Sequence, residues 1–375
     1  MKKSFNYPLF FLIVFLLGFS FLFLACLSSS ESLQKFGNTN YYLIHQLLSG
    51  LLPGLFLGFI AYKISLPFLK KTAPFLVLVN LVFLFLVFLP KIGLGGGGAS
   101  RWINLGFASF QPSEFLKITA ILYLSAWIAS KLAESSSSDW RSVTKKSWHN
   151  VIYILFPFIV FLGLISTALI LQRDASTLGI VSITLLVIYF SAKTPLWHTF
   201  LILFLGALSL FFLIKFESYR ADRLLIFLHP NLDPLGIGLQ LRQSLISLGS
   251  GGVFGKGLGM SVQKLGFLPQ AMSDSIFAII GEETGAIGCI ALIAIFLLFF
   301  WMGIKIDKNS NDKFSKLTAI GIVFWITFQA FINISSVTGI FPLAGIPLPF
   351  FSYGGSHLVV ELIGVGLLLN ISQNT

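Results

Sequence analysis

Long apolar runs alternate with short polar gaps from one end of the chain to the other. Ten runs reach, or nearly reach, the roughly 20 helical residues that cross a hydrocarbon core of about 30 Å. They are Tyr7–Leu27, His45–Ile64, Pro74–Pro90, Pro112–Ser130, Val151–Leu171, Ser176–Ala192, Trp197–Phe216, Ser275–Gly303, Leu317–Ile340 and Ser356–Ile371. Each predicts a membrane helix, and the run from Ser275 is long enough to tilt or project. The gaps come in two kinds. One set is short and basic, carrying Lys2, Lys3, Lys63, Lys70, Lys71, Lys131, Arg141, Lys145, Lys146, Lys193, Lys305, Lys308, Lys313 and Lys316. The other set is longer and rich in glycine and motifs: Lys91–Gln111, Glu217–Ser273 and Phe341–Tyr353. Lys and Arg in short loops mark the cytoplasmic side. Both termini then lie in the cytoplasm and the motif-rich segments face outward.

This patterning predicts an all-α polytopic membrane protein. It has ten transmembrane helices in a single domain, residues 1–375, with a large extracytoplasmic loop, 217–273, between helices 7 and 8. The basic start and the Ala25-Cys26 pair invite comparison with a cleaved signal. The first apolar run is too long for one and nine more follow, so it reads as an uncleaved first helix. The serine-rich stretch Ala133–Asn150 reads as a solvated linker. No internal repeat is evident, unlike transporters built from duplicated halves.

Composition agrees. Hydrophobic residues make up 56% of the 375 positions, charged ones 10%, and Phe alone occurs 41 times. A soluble fold needs more polar surface. The net charge of +11 could suggest nucleic acid, but the basic residues sit where membrane topology needs them, so no nucleic-acid partner is expected. Cys26 and Cys289 form no disulfide framework or zinc spacing, and the five histidines are scattered. A protein-built transition-metal site is not expected.

Four polar constellations interrupt the apolar pattern. In RWINLGFASFQPSEFLK, Glu114 and Lys117 are three apart and share a helix face. They form either an ion pair near the interface or a polar patch facing an outer cavity, with Arg101 in the loop before them. In QRDAST, Asp174 with Ser176 and Thr177 fits a helix N-cap. The segment Thr338–His357 holds Pro342, Pro347 and Pro349 with Gly345, Gly354 and Gly355. It cannot continue a helix, and suits either a rigid connector or an irregular segment lining a cavity. Ser352, Tyr353 and Ser356 there could donate hydrogen bonds to a sugar or phosphate.

The fourth constellation is Gly236–Glu283 with its approach, YRADRLLIFLHPNLDP. Six basic residues lie in this outer loop: Lys215, Arg220, Arg223, Arg242, Lys256 and Lys264. A positive outer loop runs against the topological asymmetry and points to an anionic ligand. Leu239, Arg242, Gln243 and Ile246 have helical spacing, suiting a helix lying flat on the membrane. GSGGVFGKG is not a nucleotide loop: Ser250 stands where a glycine is required and Gly257 follows Lys256. Asp274 ends the loop. It serves either as the cap of the next helix or as a base reachable from outside, with apolar surroundings raising its pKa. Glu282 and Glu283, two turns deeper, are better suited to pairing at helix contacts.

Taken together, RWINLGFASFQPSEFLK, YRADRLLIFLHP, the run from GLQLRQSLISLGSGGVFGKGLGMSVQKLGFLPQ into SDSIFAIIGEETGAIG, and GIPLPFFSYGGS resemble the SEDS family (shape, elongation, division and sporulation). The likeness is to its cell-division branch more than its elongation branch. It implies a peptidoglycan glycosyltransferase that polymerises lipid II into glycan strands on the outer face of the cytoplasmic membrane, at the division septum. It implies Asp274 as the essential acid, and Arg101, Glu114 and Lys117 as a polar cluster in a central cavity. Expected partners are lipid II, a class B penicillin-binding protein acting as transpeptidase, and divisome membrane proteins. No protein-bound cofactor is expected, although a divalent cation, Mg or Mn, could assist the diphosphate. For the substrate, Arg101, Lys117, Arg220, Arg223 and Lys256 are the charged candidates; Glu114, Ser352, Tyr353 and Ser356 are further contacts. Two departures from the family pattern stand out. The family usually has Pro-Glu-Ala-His-Thr-Asp where this chain reads Pro269 to Asp274 with Gln270 and Met272, and Arg173 replaces a usual proline. Two other readings predict different behaviour: a lipid II flippase using Glu114, Glu282, Glu283 and Glu361 as a polar path, and a scaffold that only recruits the transpeptidase.

Overall fold

The computed structural model describes residues 5–89, 93–96, 99–104, 106, 109–134, 154–192, 194, 196–216, 218–229, 232–233, 236, 238–310 and 312–373. Each of the ten apolar runs falls on a helix. In chain order these are α1 (Tyr7–Phe36), α2 (Tyr41–Lys63, with a π turn at Leu47–Leu51), α3 (Leu66–Leu86), α4 (Pro112–Glu134), α5 (Phe156–Leu171), α6 (Ala175–Ser191) and α7 (Leu196–Phe216). Two loop helices follow, α8 (Ser218–Leu228) and α9 (Leu239–Gly251), then α10 (Ile276–Asn309), α11 (Lys313–Val337) and α12 (Gly355–Gln373). Among the described residues, six helices are long and apolar enough to cross a membrane: α1, α2, α3, α10, α11 and α12. α5 and α6 are apolar but shorter. Most of the serine-rich linker, from residue 135 on, lies outside the described residues.

Among the described residues, the chain departs from an all-helical fold in one place. Residues before α4 form a small antiparallel sheet of β1 (Gly93–Gly96), β2 (Ala99–Asn104) and β3 (Ser109–Phe110), in the order β1-β2-β3. Glycine content hid these strands from the hydrophobic pattern. Their consequence is positional: β2 carries Arg101 and Trp102. Several helices also outrun the apolar runs that predicted them, α1 and α3 by the most. α1 continues nine residues past Leu27 and ends at Gly37, which takes a left-handed φ of 68°. α3 starts at Leu66, so Pro74 lies inside it rather than at its start.

α12 is the central pillar; 89% of its spanning window is buried inside the protein. Its tightest neighbour is α2, and glycines make the approach possible. A Cβ on Gly54 would stand 2.6 Å from the Leu362 side chain, one on Gly58 2.7 Å from the Leu362 carbonyl, and one on Gly366 2.1 Å from the Gly58 carbonyl. Close backbone contact of this kind is how membrane helices associate when lipid supplies no hydrophobic drive. The core beneath is aromatic and aliphatic, with Trp325, Tyr189, Phe158, Phe277, Phe296 and Phe314 fully enclosed. The outer surface of α1, α2, α3 and α10 is also apolar: Phe11, Phe56, Phe75 and Ile290 are all exposed. A water-soluble protein does not leave such a continuous belt bare.

Candidate active site

The site is assembled where three irregular segments meet above α11. The segment 268–275 brings Asp274. It does not cap α10 with its side chain; Ser275 occupies the N-cap position. The segment 338–354 lies against it through several bonds. The Ser352 hydroxyl donates to the Ser273 carbonyl (2.6 Å) and accepts from the Leu348 N–H (2.7 Å), while the Tyr353 N–H donates to the Met272 carbonyl (2.8 Å). Asn333 of α11 ties the two segments together. Its amide nitrogen donates to the carbonyls of Asp274 (2.8 Å) and Ile346 (2.7 Å). The third segment is the turn Gln172–Asp174, joined to the second by a hydrogen bond from the Ser176 hydroxyl to the Ala344 carbonyl.

Two arginines flank the Asp274 carboxylate. Arg223, on α8, donates to the Leu343 carbonyl (2.6 Å). Arg101, on β2, donates to the carbonyls of Gln172 (3.4 Å) and Arg173. Gly345 separates Arg223 from Asp274: a Cβ built there would lie 3.4 Å from the guanidinium and 3.5 Å from Asp274 Oδ2. Gly345 has a φ of 62°, so a side chain there is disfavoured by conformation as well as by position. Burial pushes the Asp274 carboxyl up to about 6, and the positive charges of Arg223 and Arg101 hold it from rising further. Such a group is largely ionised at neutral pH and still basic enough to take a proton from a hydroxyl. The guanidinium groups suit a diphosphate geometrically and electrostatically.

Below lies a buried ion pair. The Lys117 ammonium sits 2.9 Å from both Glu114 carboxylate oxygens and 2.9 Å from Gln329 Oε1, with the Trp325 ring centroid at 5.6 Å. The ion pair forms within α4, and both side chains are almost wholly enclosed. Gln329 relays the pair upward, its amide donating to the Pro347 carbonyl (3.0 Å). The pair thus supports the floor of the site from one side while Asn333 supports it from another.

Not every residue singled out by the sequence converges here. Lys256 lies in a separate cluster and pairs with Glu282 at 2.7 Å. Ser352 is fully buried and occupied by its backbone bonds. The Tyr353 hydroxyl meets His45 Nδ1 at 2.7 Å. Ser356 bridges to the sheet, accepting from the Gln111 N–H (3.2 Å) and donating to the Ser109 carbonyl (3.4 Å). Arg220 belongs to α8, but its side chain lies outside the described residues. Asp174 is the cap of α6, accepting from the Thr177 N–H at 3.2 Å, and it also accepts from the Ser113 hydroxyl. α9 has a small polar face, Ser244, Ser247 and Gly251, buried along α10, while Arg242 and Ile246 face outward.

The Arg173 and Gln270 departures from the family pattern have local accounts; nothing in the structure explains the one at Met272. Arg173 takes a φ of 56°, which the proline ring forbids. Gln270 also has a positive φ, 54°, and its side chain accepts from the Ser273 hydroxyl within its own turn. Sequence reasoning missed Gln329 and Asn333. The available signal was two amide side chains four apart in an otherwise apolar run, which in a membrane helix must find partners.

A divalent cation is not favoured as a protein-held group. Asp274 is a single carboxylate facing two guanidinium groups, a poor donor set for Mg or Mn. Among the described residues no group of three His, Cys, Asp or Glu side chains comes together.

Comparison with known proteins gives a consistent result. Residues 7–375 match the FTSW_RODA_SPOVE family, described as "Cell cycle protein". A probable peptidoglycan glycosyltransferase FtsW of Coxiella burnetii is 38% identical over 363 residues, covering 96% of this chain and 94% of that one. One of the same name from Nitrosococcus halophilus is 36% identical, covering 96% and 90%. Among solved structures, a chain from a study of polymerization and crosslinking by a peptidoglycan synthase complex aligns with a TM-score of 0.75 at 25% identity, covering 98% of both chains. The rod shape determining protein RodA of Thermus thermophilus shares the fold, with a TM-score of 0.69 at 23% identity and 98% and 97% coverage.

Proposed function

The chain belongs to the FtsW/RodA/SpoVE family, and from that premise we propose how this multi-pass membrane protein works as a peptidoglycan glycosyltransferase. The reaction is polymerisation of lipid II, with Asp274 as the base. The observation that carries this reading is the half-buried Asp274 carboxylate set between Arg223 and Arg101, its pKa pushed up to about 6 by burial. Asp274 takes the proton from the acceptor hydroxyl as that oxygen attacks the anomeric carbon of the donor sugar. The bond from that carbon to the diphosphate oxygen breaks, and Arg223 and Arg101 stabilise the charge gained by the leaving lipid diphosphate. The Glu114–Lys117 pair acts through Gln329 on the loop beside Asp274 and positions it.

The same reading gives ten membrane crossings, both termini in the cytoplasm and a site facing outward. The positive short loops and the helix under each apolar run support it. A class B penicillin-binding protein would cross-link the product, and the site of action would be the septum. The likeness to a chain from a peptidoglycan synthase complex and to FtsW relatives supports both statements. The test is purified protein reconstituted with lipid II and its partner. Glycan ladders on a gel support the transferase; translocation of lipid II in vesicles without polymer would replace it with a flippase. An Asp274→Asn strain that still divides would leave only a scaffold.

A further inference from the structure

The glycine-rich stretch that is not a nucleotide loop has a different task. α10 is broken at Gly285, whose φ of 67° and ψ of −168° leave the helical region. A break in a helix frees backbone groups, and here the loop after α9 satisfies them. The Lys256 N–H donates to the Glu282 carbonyl (2.9 Å) and the Gly257 N–H to the Glu283 carbonyl (3.0 Å). In return the Ala286 N–H donates to the Gly252 carbonyl (2.9 Å) and the Ile287 N–H to the Val253 carbonyl (3.2 Å). Only glycine fits at the contact: a Cβ on Gly255 would stand 2.2 Å from the Glu283 carbonyl, and one on Gly285 2.4 Å from the Gly255 nitrogen.

Charge is neutralised at the same place. Glu282 receives Lys256 at 2.7 Å, the Ser261 hydroxyl at 2.5 Å and the Ser247 hydroxyl at 3.2 Å. Glu283 receives Lys264 at 3.2 Å, and Lys264 also donates to the Cys26 carbonyl of α1 at 3.3 Å. The loop is therefore fastened to α10 and α1, yet its apolar side chains point away from the protein. Phe254 is 82% exposed and Met260 67%, with Val253, Leu258, Leu265 and Phe267 each more than half exposed. Six large apolar residues held bare on a rigid loop need an apolar surrounding.

The height of the loop along α10 identifies that surrounding. Lys305, stacked on Trp301 at 3.5 Å, marks one interface. About 20 residues of helix cross the hydrocarbon, which places the other boundary near Gly285. Gly252 and Val253 pair with Ala286 and Ile287 at that level, and the exposed Val253 and Phe254 continue the bare apolar face of Ile287 and Ile290. We propose that residues 252–267 form a membrane-seated loop, with Val253, Phe254, Leu258 and Met260 entering the acyl chains of the leaflet on the Asp274 side. Because Lys256 and Lys264 are spent on Glu282 and Glu283, the seat recognises acyl chains rather than anionic headgroups.

The full-length protein in phosphatidylcholine vesicles provides the test. Cys26 and Cys289 are replaced by Ala, and a single cysteine is introduced by Phe254→Cys, Met260→Cys or, as control, Ser250→Cys, then spin-labelled. Collision with oxygen, which partitions into lipid, is compared with collision with a water-soluble nickel chelate. The oxygen-to-nickel ratio should be severalfold higher at 254 and 260 than at 250, and unchanged between low and high salt. A nickel-dominated ratio at 254 would overturn the proposal. So would protection from both reagents, which marks a protein contact such as the partner enzyme.

Discussion

With Asp274 as the proposed base, Arg223 holds down the working pH of the site against the larger, opposite effect of burial. Its guanidinium and the Asp274 carboxylate both lie within contact distance of the Gly345 Cβ position, so their charges stand no more than about 7 Å apart, worth about 2 kcal/mol at an effective dielectric of about 20. Arg223→Gln keeps a donor for the Leu343 carbonyl but removes that charge. The carboxylate is then less stabilised and its pKa rises by between about one and two units. Asp274 must be ionised to act as base, so activity is lost as pH falls through its pKa. In lipid II polymerisation by the wild-type enzyme, kcat/KM should fall on the acid side with a midpoint near pH 6. In the variant that midpoint should move toward pH 7 or above, whatever happens to the maximal rate. An unchanged midpoint, or one that moves to lower pH, would refute the placement of Arg223 beside the base.

Stability should respond in the opposite sense to activity at Asp274. Its carboxyl binds a proton with a pKa near 6 in the folded protein against an ordinary 3.8, so ionisation costs the fold up to about 3 kcal/mol above that window. Asp274→Asn should therefore melt higher than wild type at neutral pH, with the gain shrinking as pH falls toward about 4. Lys117→Met leaves the Glu114 carboxylate buried without its cation and should cost about 3–5 kcal/mol, while Glu114→Gln with Lys117→Met should recover much of it; thermal melting in detergent reads both. Asn333→Leu strips the donor from the Asp274 and Ile346 carbonyls, at about 1–3 kcal/mol for each buried acceptor left unpaired. It should lower kcat with little change in KM, since it loosens the base rather than the anion-binding arginines.

The helical plan is legible in the chain because apolar runs of membrane length have few alternatives. The same runs misplace ends wherever polarity and helicity part company. α1 continues through SSSESLQKF, and α3 starts eight residues before Pro74, since helix geometry does not stop at the hydrocarbon boundary. The strands before α4 were hidden by glycines, whose pairing depends on a partner strand rather than on a pattern. At the site, Asp274 could be singled out because it stands alone where loop meets helix. Its neighbours could not, because Arg101, Arg223, Gly345 and Asn333 are brought together across more than 200 positions. Lys256 shows the converse: its charge suggested a ligand, and a glutamate 26 positions away claims it.

The central claim is that Asp274 is the base for glycosyl transfer. Purified Asp274→Asn protein, shown folded by its melting curve, is incubated with lipid II beside wild type and the products are resolved on a gel. Wild type should give glycan ladders and the variant none. Ladders of wild-type intensity from the folded variant would contradict the claim.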